Sequence, residues 1–407
     1  MKTTNQTILN TLLTGFLLFS SSILIPLNIR NIPFFIFVIV AAFYLTKPKT
    51  HTNPEHIKIL VANTLYFIAM GFSFLYSNNT LEGTTNLLSI SPLLITPLMF
   101  YALHSRNSIN YSFIINYFYI IFFCSTVLFF LLVIIHNYSK GYITETYFLH
   151  FPERINIDFG KYSIHPLYAS MLVIISIIFS VPIYEKAKTK STQFFVLSSI
   201  LFLIVIILLL ARKSAILITF LIFMYYFISN RNRKSFVYFL IAFMTCVALI
   251  YLIEPLRARF YELITTLYSL DSSTTGSTST RIRVFNCSLE AIKNAPFFGY
   301  GIGDAKEVLS FCYLEKSTPY FNTHNQFLGA WLSAGLFGVA SLIGMFFYGF
   351  KSAFKTRDFV HLSVLFLFLA MAMIENILER QDGILIFSFF INFFIFKNTT
   401  NSTLKSQ

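Results

Sequence analysis

Apolar runs long enough to cross a lipid bilayer follow one another along this chain, and no other feature constrains its fold as tightly. Roughly twenty apolar residues span the hydrocarbon core as a helix. By that measure about twelve spans can be drawn, at 8–27, 32–46, 57–76, 87–103, 112–135, 166–184, 194–210, 215–229, 236–253, 326–350, 359–374 and 384–396. The expected fold is therefore all-α: a polytopic membrane protein of about twelve transmembrane helices, with a helical subdomain between the ninth and tenth spans. Composition agrees, since 56% hydrophobic and 12% charged residues leave too little charge to cover a soluble domain of 407 residues. The first run, 8–27, is too long for a signal-peptide core and lacks a small-x-small cleavage site, so it reads as a membrane anchor.

The net charge of +13 raises a nucleic-acid partner as the usual alternative for a basic chain. The cations instead lie in short clusters between apolar runs, as cytoplasmic loops do, and no nucleic-acid partner is expected. With the N-terminus in the cytoplasm, Lys47, Lys49, Lys58, Arg106, Lys186, Lys188, Lys190, Arg231, Arg233, Lys234, Lys351, Lys355, Arg357, Lys397 and Lys405 all fall inside. The outer turns then carry only Arg30, Arg212, Lys213 and Arg380, which puts both termini in the cytoplasm. Arg212 and Lys213 stand against this bias in the tight turn of LLLARKSAILITF. Boundary charges of this kind are functional candidates, although snorkelling side chains that end a helix give the same pattern.

Two outer segments exceed a simple turn. Residues 136–165 hold aromatics, Glu153, Arg154 and Asp158 without a periodic apolar face, and read as a loop with some local order. Residues 254–323 read as a subdomain, so the chain divides into 1–253, 254–323 and 324–407. Within the subdomain, Leu256, Phe260, Leu263, Ile264 and Leu267 share a helical face that suits the membrane surface, and Asp271 to Thr280 has the makeup of a flexible linker. Ile282, Phe285, Leu289 and Ile292 then form a second apolar stripe, stopped at Asn294 and Pro296. FFGYGIG follows as a glycine-rich turn without dinucleotide-loop spacing, and Asp304 is placed to cap a third helix through about Lys316.

The four cysteines show no metal spacing. Cys124 and Cys246 lie in apolar runs, while Cys287 and Cys312 share one polar segment, where they either pair in an oxidising compartment or serve as small buried side chains.

At FNTHNQFLGAWLSAGLFG a polar turn runs straight into an apolar helix with His324 at the seam. The positive end of the helix dipole disfavours a protonated ring there, and a neutral imidazole can act as a base. Taken alone, His324 and Asn325 read equally well as an interfacial helix cap. Arg212, Arg281, Arg283 and His324 are all assigned to the same membrane face. Arginine suits phosphate, because its planar fork donates paired hydrogen bonds and stays charged. A base beside phosphate clamps suggests group transfer from a phosphorylated donor, and outside the cytoplasm a lipid-linked phosphate is the plausible one.

Four stretches carry a family resemblance: ARKSAIL around Arg212, TRIRVFNCSLEAIKNAPFFGYGIG, THNQFLGAWLSAGLFG, and ENILERQDG from Glu375 to Gly383. In this order and spacing the chain resembles the O-antigen ligase and O-antigen polymerase superfamily of bacterial inner-membrane proteins. Phe285 departs from the tryptophan common at that place in the family's outer-loop motif. The resemblance implies a glycosyltransferase that inverts at the anomeric carbon and needs no metal or other cofactor. Arg212 and Arg281 would clamp an undecaprenyl-pyrophosphate-linked glycan, and His324 would take a proton from the acceptor hydroxyl. Lys213, Asn325 and Glu375 are candidate supporting residues; Arg283 is an extra cation to which the resemblance assigns no role, either another supporting residue or a solvated face. It also implies the bacterial inner membrane with the active site on the periplasmic side, in contact with membrane lipid. The acceptor would be lipid A-core for a ligase, or a second carrier-linked glycan for a polymerase. A polysaccharide flippase is the reading from another class; the near absence of charge within the central spans weighs against it.

Overall fold

A computed structural model describes residues 23–25, 27–46, 48, 54–106, 109–144, 147–230, 277–315 and 322–404, with isolated positions between 244 and 261. Among the described residues every long element is a helix and no strand occurs. In chain order these are α1 (Leu27–Leu45), α2 (Pro54–Phe74), α3 (Thr80–Ser89), α4 (Pro92–His104), α5 (Tyr111–Ser139), α6 (Tyr147–Ile157) and α7 (Pro166–Lys186). They continue as α8 (Lys190–Leu210), α9 (Lys213–Asn230), α10 (Ser277–Asn294), α11 (Ala305–Glu315), α12 (Gln326–Thr356), α13 (Phe359–Ala372) and α14 (Gln381–Leu404).

Seven described segments are long and apolar enough to cross a membrane, with three shorter apolar helices at Phe34–Leu45, Lys213–Ser229 and Phe359–Ala372. Most of the expected spans at 8–27 and 236–253, and most of the surface stripe at 256–267, lie outside the described residues. The fourth span differs from expectation. It starts earlier, at Thr80, and is broken at Ile90–Ser91, where Pro92 opens α4 because its ring fits a first helical turn but not an interior one.

The chain divides into two compact units, one of Met1–Ile39 with Ser108–Tyr261, the other of Val40–Asn107 with Glu262–Gln407. In the first, α7 is buried along most of its length, and Phe118 and Phe122 of α5 pack on its Phe179 at 5.5 and 5.2 Å between ring centres. The segment expected as a loop, 136–165, contains α6. Tyr147, Phe151 and Ile155, four residues apart, are its buried face, and that i, i+4, i+8 pattern is the periodicity the sequence reading overlooked. The turn between α8 and α9 is Ala211 and Arg212, with Ala211 in the left-handed region at φ 49°.

The second unit is organised around α14. Phe100 of α4 meets Phe389, Phe393 and Phe396, while Phe368 of α13 and Phe346 of α12 pack on Phe387. A buried amide pair, Asn63 Nδ2 donating to Asn392 Oδ1 at 2.8 Å, ties α2 to α14. Between apolar helices such a bond holds register where lipid supplies no hydrophobic drive.

Over the first turns of α12 sits a small cap made of α10 and α11, joined by a Cys287–Cys312 disulfide. Val284, Cys287, Ala291, Leu309 and Tyr313 pack with Leu328 and Leu332 of α12 into one core. The face actually buried on α10 is thus Val284, Cys287, Ser288 and Ala291 with Ile292. Phe285 and Leu289 of the expected stripe are exposed, and Ile282 is only half-buried. The linker expected through Thr280 also ends early, since α10 already begins at Ser277.

The glycine-rich turn docks this cap by backbone contact. α12 kinks at Ala334 and Gly335, where Gly335 has φ 59°. Into the gap the turn sends Tyr300 N–H to Leu332 O at 2.7 Å and Gly301 N–H to Ser333 O at 2.9 Å, and Phe297 O accepts from Leu336 N–H at 3.0 Å. A Cβ on Gly335 would stand 2.0 Å from Phe297 O, and one on Gly299 2.5 Å from Leu332 O. Only glycine permits this approach. Farther on, Ile302 and Gly303 N–H donate to Ser73 and Ser77 Oγ, each at 3.1 Å. Asp304, expected to cap its own helix, instead accepts from Asn78 and Asn79 N–H at 2.7 and 2.8 Å. Its carboxylate is spent fastening the cap to the turn that precedes α3.

Candidate active site

The residues ahead of α12 are held against the polar turn between α13 and α14. Thr323 Oγ1 donates to Asn376 Oδ1 at 2.9 Å, and Asn325 N–H donates to the same oxygen at 2.8 Å. Asn325 Oδ1 accepts from Phe327 and Leu328 N–H at 2.9 and 3.1 Å, while its Nδ2 donates to Met373 O at 3.0 Å. Gln326 completes the seam: its Oε1 accepts from Leu378 N–H at 2.8 Å, and its Nε2 donates to Tyr66 OH of α2 at 3.1 Å. Two short strips of chain, 322–326 and 373–379, are thereby fixed side by side.

His324 lies in this seam with a left-handed backbone, φ 46°. A non-glycine residue held there is a strained position that its surroundings must impose. Its Nδ1 is 2.8 and 2.9 Å from the two oxygens of Glu375. The second oxygen of Glu375 also meets Arg281 Nη2 of α10 at 3.3 Å. The carboxylate therefore joins the imidazole to the guanidinium. The His324 and Glu375 side chains are 18% and 16% exposed and that of Arg281 40%, so the group faces an opening with its cation outermost.

These contacts define roles. A carboxylate only accepts, so His324 Nδ1 carries a proton, and in the neutral ring the lone pair is then on Nε2. An imidazole oriented by a carboxylate is the pairing that general-base and nucleophile-activating sites use. The contact recorded for Arg281 uses one Nη2 hydrogen bond of a fork that carries five donors, which suits it to an anion beside the base.

The sequence candidates separate accordingly. The structure brings Arg281, His324 and Glu375 together, and Glu375, expected only as support, is the link between the other two. Asn325 caps α12, so the helix-cap reading holds for it. Arg283 donates to Thr280 Oγ1 of its own helix at 3.1 Å. Arg212 and Lys213 belong to the first unit, at the turn into α9. Among the described residues no cluster of His, Cys, Asp or Glu is arranged to hold a metal ion. Asn376, Gln326 and Thr323, which build the seam, were missed. Their signals were two polar runs beside apolar helices, NTHNQ at 322–326 for Thr323 and Gln326 and ENILERQDG at 375–383 for Asn376.

Residues 197–343 match the family described as O-antigen ligase, a stretch that contains Arg212, Arg281 and His324 and ends before Glu375. No curated protein matches the chain.

Proposed function

Because residues 197–343 match the O-antigen ligase family, we propose that this membrane protein is a glycosyltransferase. It moves a glycan from undecaprenyl pyrophosphate to an acceptor hydroxyl, and as a ligase its acceptor is lipid A-core. The observation that carries this reading is the Glu375 carboxylate shared by His324 and Arg281. In the proposed step His324 Nε2 takes the acceptor's hydroxyl proton while the acceptor oxygen attacks the anomeric carbon. The bond from that carbon to the phosphate oxygen breaks, and its electron pair leaves with the pyrophosphate. One displacement gives inversion.

Glu375 keeps the proton of Nδ1 in place and balances the imidazolium that forms. Arg281 meets the charge growing on the departing phosphate, where a preorganised cation has most effect. Arg212 keeps the donor-binding role that its ARKSAIL turn implies, an assignment that rests on sequence alone. The Cys287–Cys312 disulfide supports putting the cap on the oxidising, periplasmic side of the inner membrane.

Polymerisation is the second reading, since the superfamily that the chain resembles includes polymerases; the acceptor is then another carrier-linked glycan. A deletion strain separates the two. Long carrier-linked chains left unattached indicate a ligase, and single repeats indicate a polymerase. If His324→Ala restored normal glycan transfer to that strain at normal protein level, the enzymatic reading would be lost.

A further inference from the structure

A cavity of about 80 Å³ lies in the second unit behind the seam. Its walls include the neighbours of both site residues: Asn322 and Thr323, which precede His324, and Asn376 and Glu379, which follow Glu375. Met70, Ile90, Leu309 and Leu332 give it apolar lining. The rest of the lining includes polar and charged groups. Glu379 accepts from Asn376 Nδ2 at 2.6 Å and from Asn322 Nδ2 at 2.9 Å, and Lys306 Nζ, also lining the cavity, pairs with Glu82 at 2.7 Å. Asn86 and Ser89 of α3 complete the wall.

A pyranose ring has the matching chemistry, with an apolar face and a rim of hydroxyls that donate to carboxylates and accept from amides and ammonium groups. The space is several times the roughly 10–15 Å³ that a single water needs. Arg281, His324 and Glu375 do not themselves line the cavity, whereas Thr323 and Asn376, the chain neighbours of the last two, do.

We infer that this cavity, between Asn322–Thr323, Asn376–Glu379 and α3, seats a sugar of the acceptor beside the place where His324 deprotonates its hydroxyl. The inference rests on the proposed transfer reaction. Glu379 and Lys306 hold the sugar's rim, so they are specificity-determining residues rather than catalytic ones. Ser89 stands at the wall, where a large side chain takes the sugar's space.

The test uses full-length protein in lipid nanodiscs and the two substrates that a deletion strain accumulates, its carrier-linked glycan and its unmodified acceptor glycolipid. Transfer is measured while each is titrated against the other at saturation. Ser89→Trp and Glu379→Gln are expected to raise the acceptor concentration for half-maximal rate at least about tenfold, the equivalent of 1.4 kcal/mol, and to leave that for the donor unchanged. Two variants from different walls guard against one that fails to fold, and thermal unfolding identifies such a case. Should both folded variants titrate like the wild type, or shift only the donor, the cavity is not the acceptor's seat although the transferase reading stands. If the wild-type protein transfers nothing between these substrates, the transferase reading itself falls.

Discussion

The second unit carries a charged network at each end, and the two are built from the same materials with opposite outcomes. At one end Glu375 joins His324 and Arg281, and at the other Asp358 pairs with Lys397 while Asn398 Nδ2 lies 2.9 Å from His361 Nδ1. The Asp358 and Lys397 side chains are 13% and 10% exposed, against 40% for Arg281. A closed pair can only be internal glue between the starts and ends of helices, here fixing the end of α14 to the beginning of α13. A pair whose cation faces an opening can exchange its partner for an anionic ligand. Under the proposed function, access rather than residue type separates the structural pair from the working one.

That contrast can be broken or sharpened by substitution. The largest expected effect is for His324→Ala, which should cost about 10²–10⁴-fold in transfer rate, the usual worth of a general base, with the melting temperature unchanged. Glu375→Gln should follow it closely. Transfer near wild-type level in either would place both ends in the structural class.

Arg281→Ala should lower transfer by about 10²–10³-fold, in line with loss of one donor to a developing oxyanion. Arg281→Lys should recover little, since an ammonium lacks the fork. At the closed end, Lys397→Met should leave Asp358 buried without its cation and cost about 3–5 kcal/mol of stability. Transfer per folded molecule should be preserved, and a thermal melt beside a rate measurement checks both halves of that statement.

Replacing Cys287 and Cys312 by Ser should destabilise the cap by about 3 kcal/mol through the lost loop constraint, seen as earlier proteolysis between α10 and α11. The smallest effect is expected for Arg283→Ala, below about tenfold in rate. If Arg283 were instead the more sensitive of the two arginines, the assignment within the TRIR stretch would have to be exchanged.

How much of this was legible beforehand differs from one element to the next. Long apolar runs announce helices wherever lipid or a buried face surrounds them, so α2, α5, α7, α8 and α12 lie close to their expected positions. The break before Pro92 was missed because hydropathy averages over it. The face of α10 was misjudged for a different reason. Three of its buried residues, Cys287, Ser288 and Ala291, are small, and a search for large apolar side chains passes over them. Asp304 was read as a local cap, whereas the amides it serves are more than two hundred residues away in the chain.

The sequence by itself determined that the chain is a bundle of apolar helices and which stretches resemble a glycan-transferring family, because hydropathy and motif are written in consecutive residues. Only the tertiary structure decided that Glu375, ninety-four residues beyond Arg281, touches both that arginine and His324, and that the glycine turn is a joint between α12 and its cap. Hydrogen bonds and close backbone approach depend on distances in space. Those distances are fixed only when helices far apart in the chain have packed.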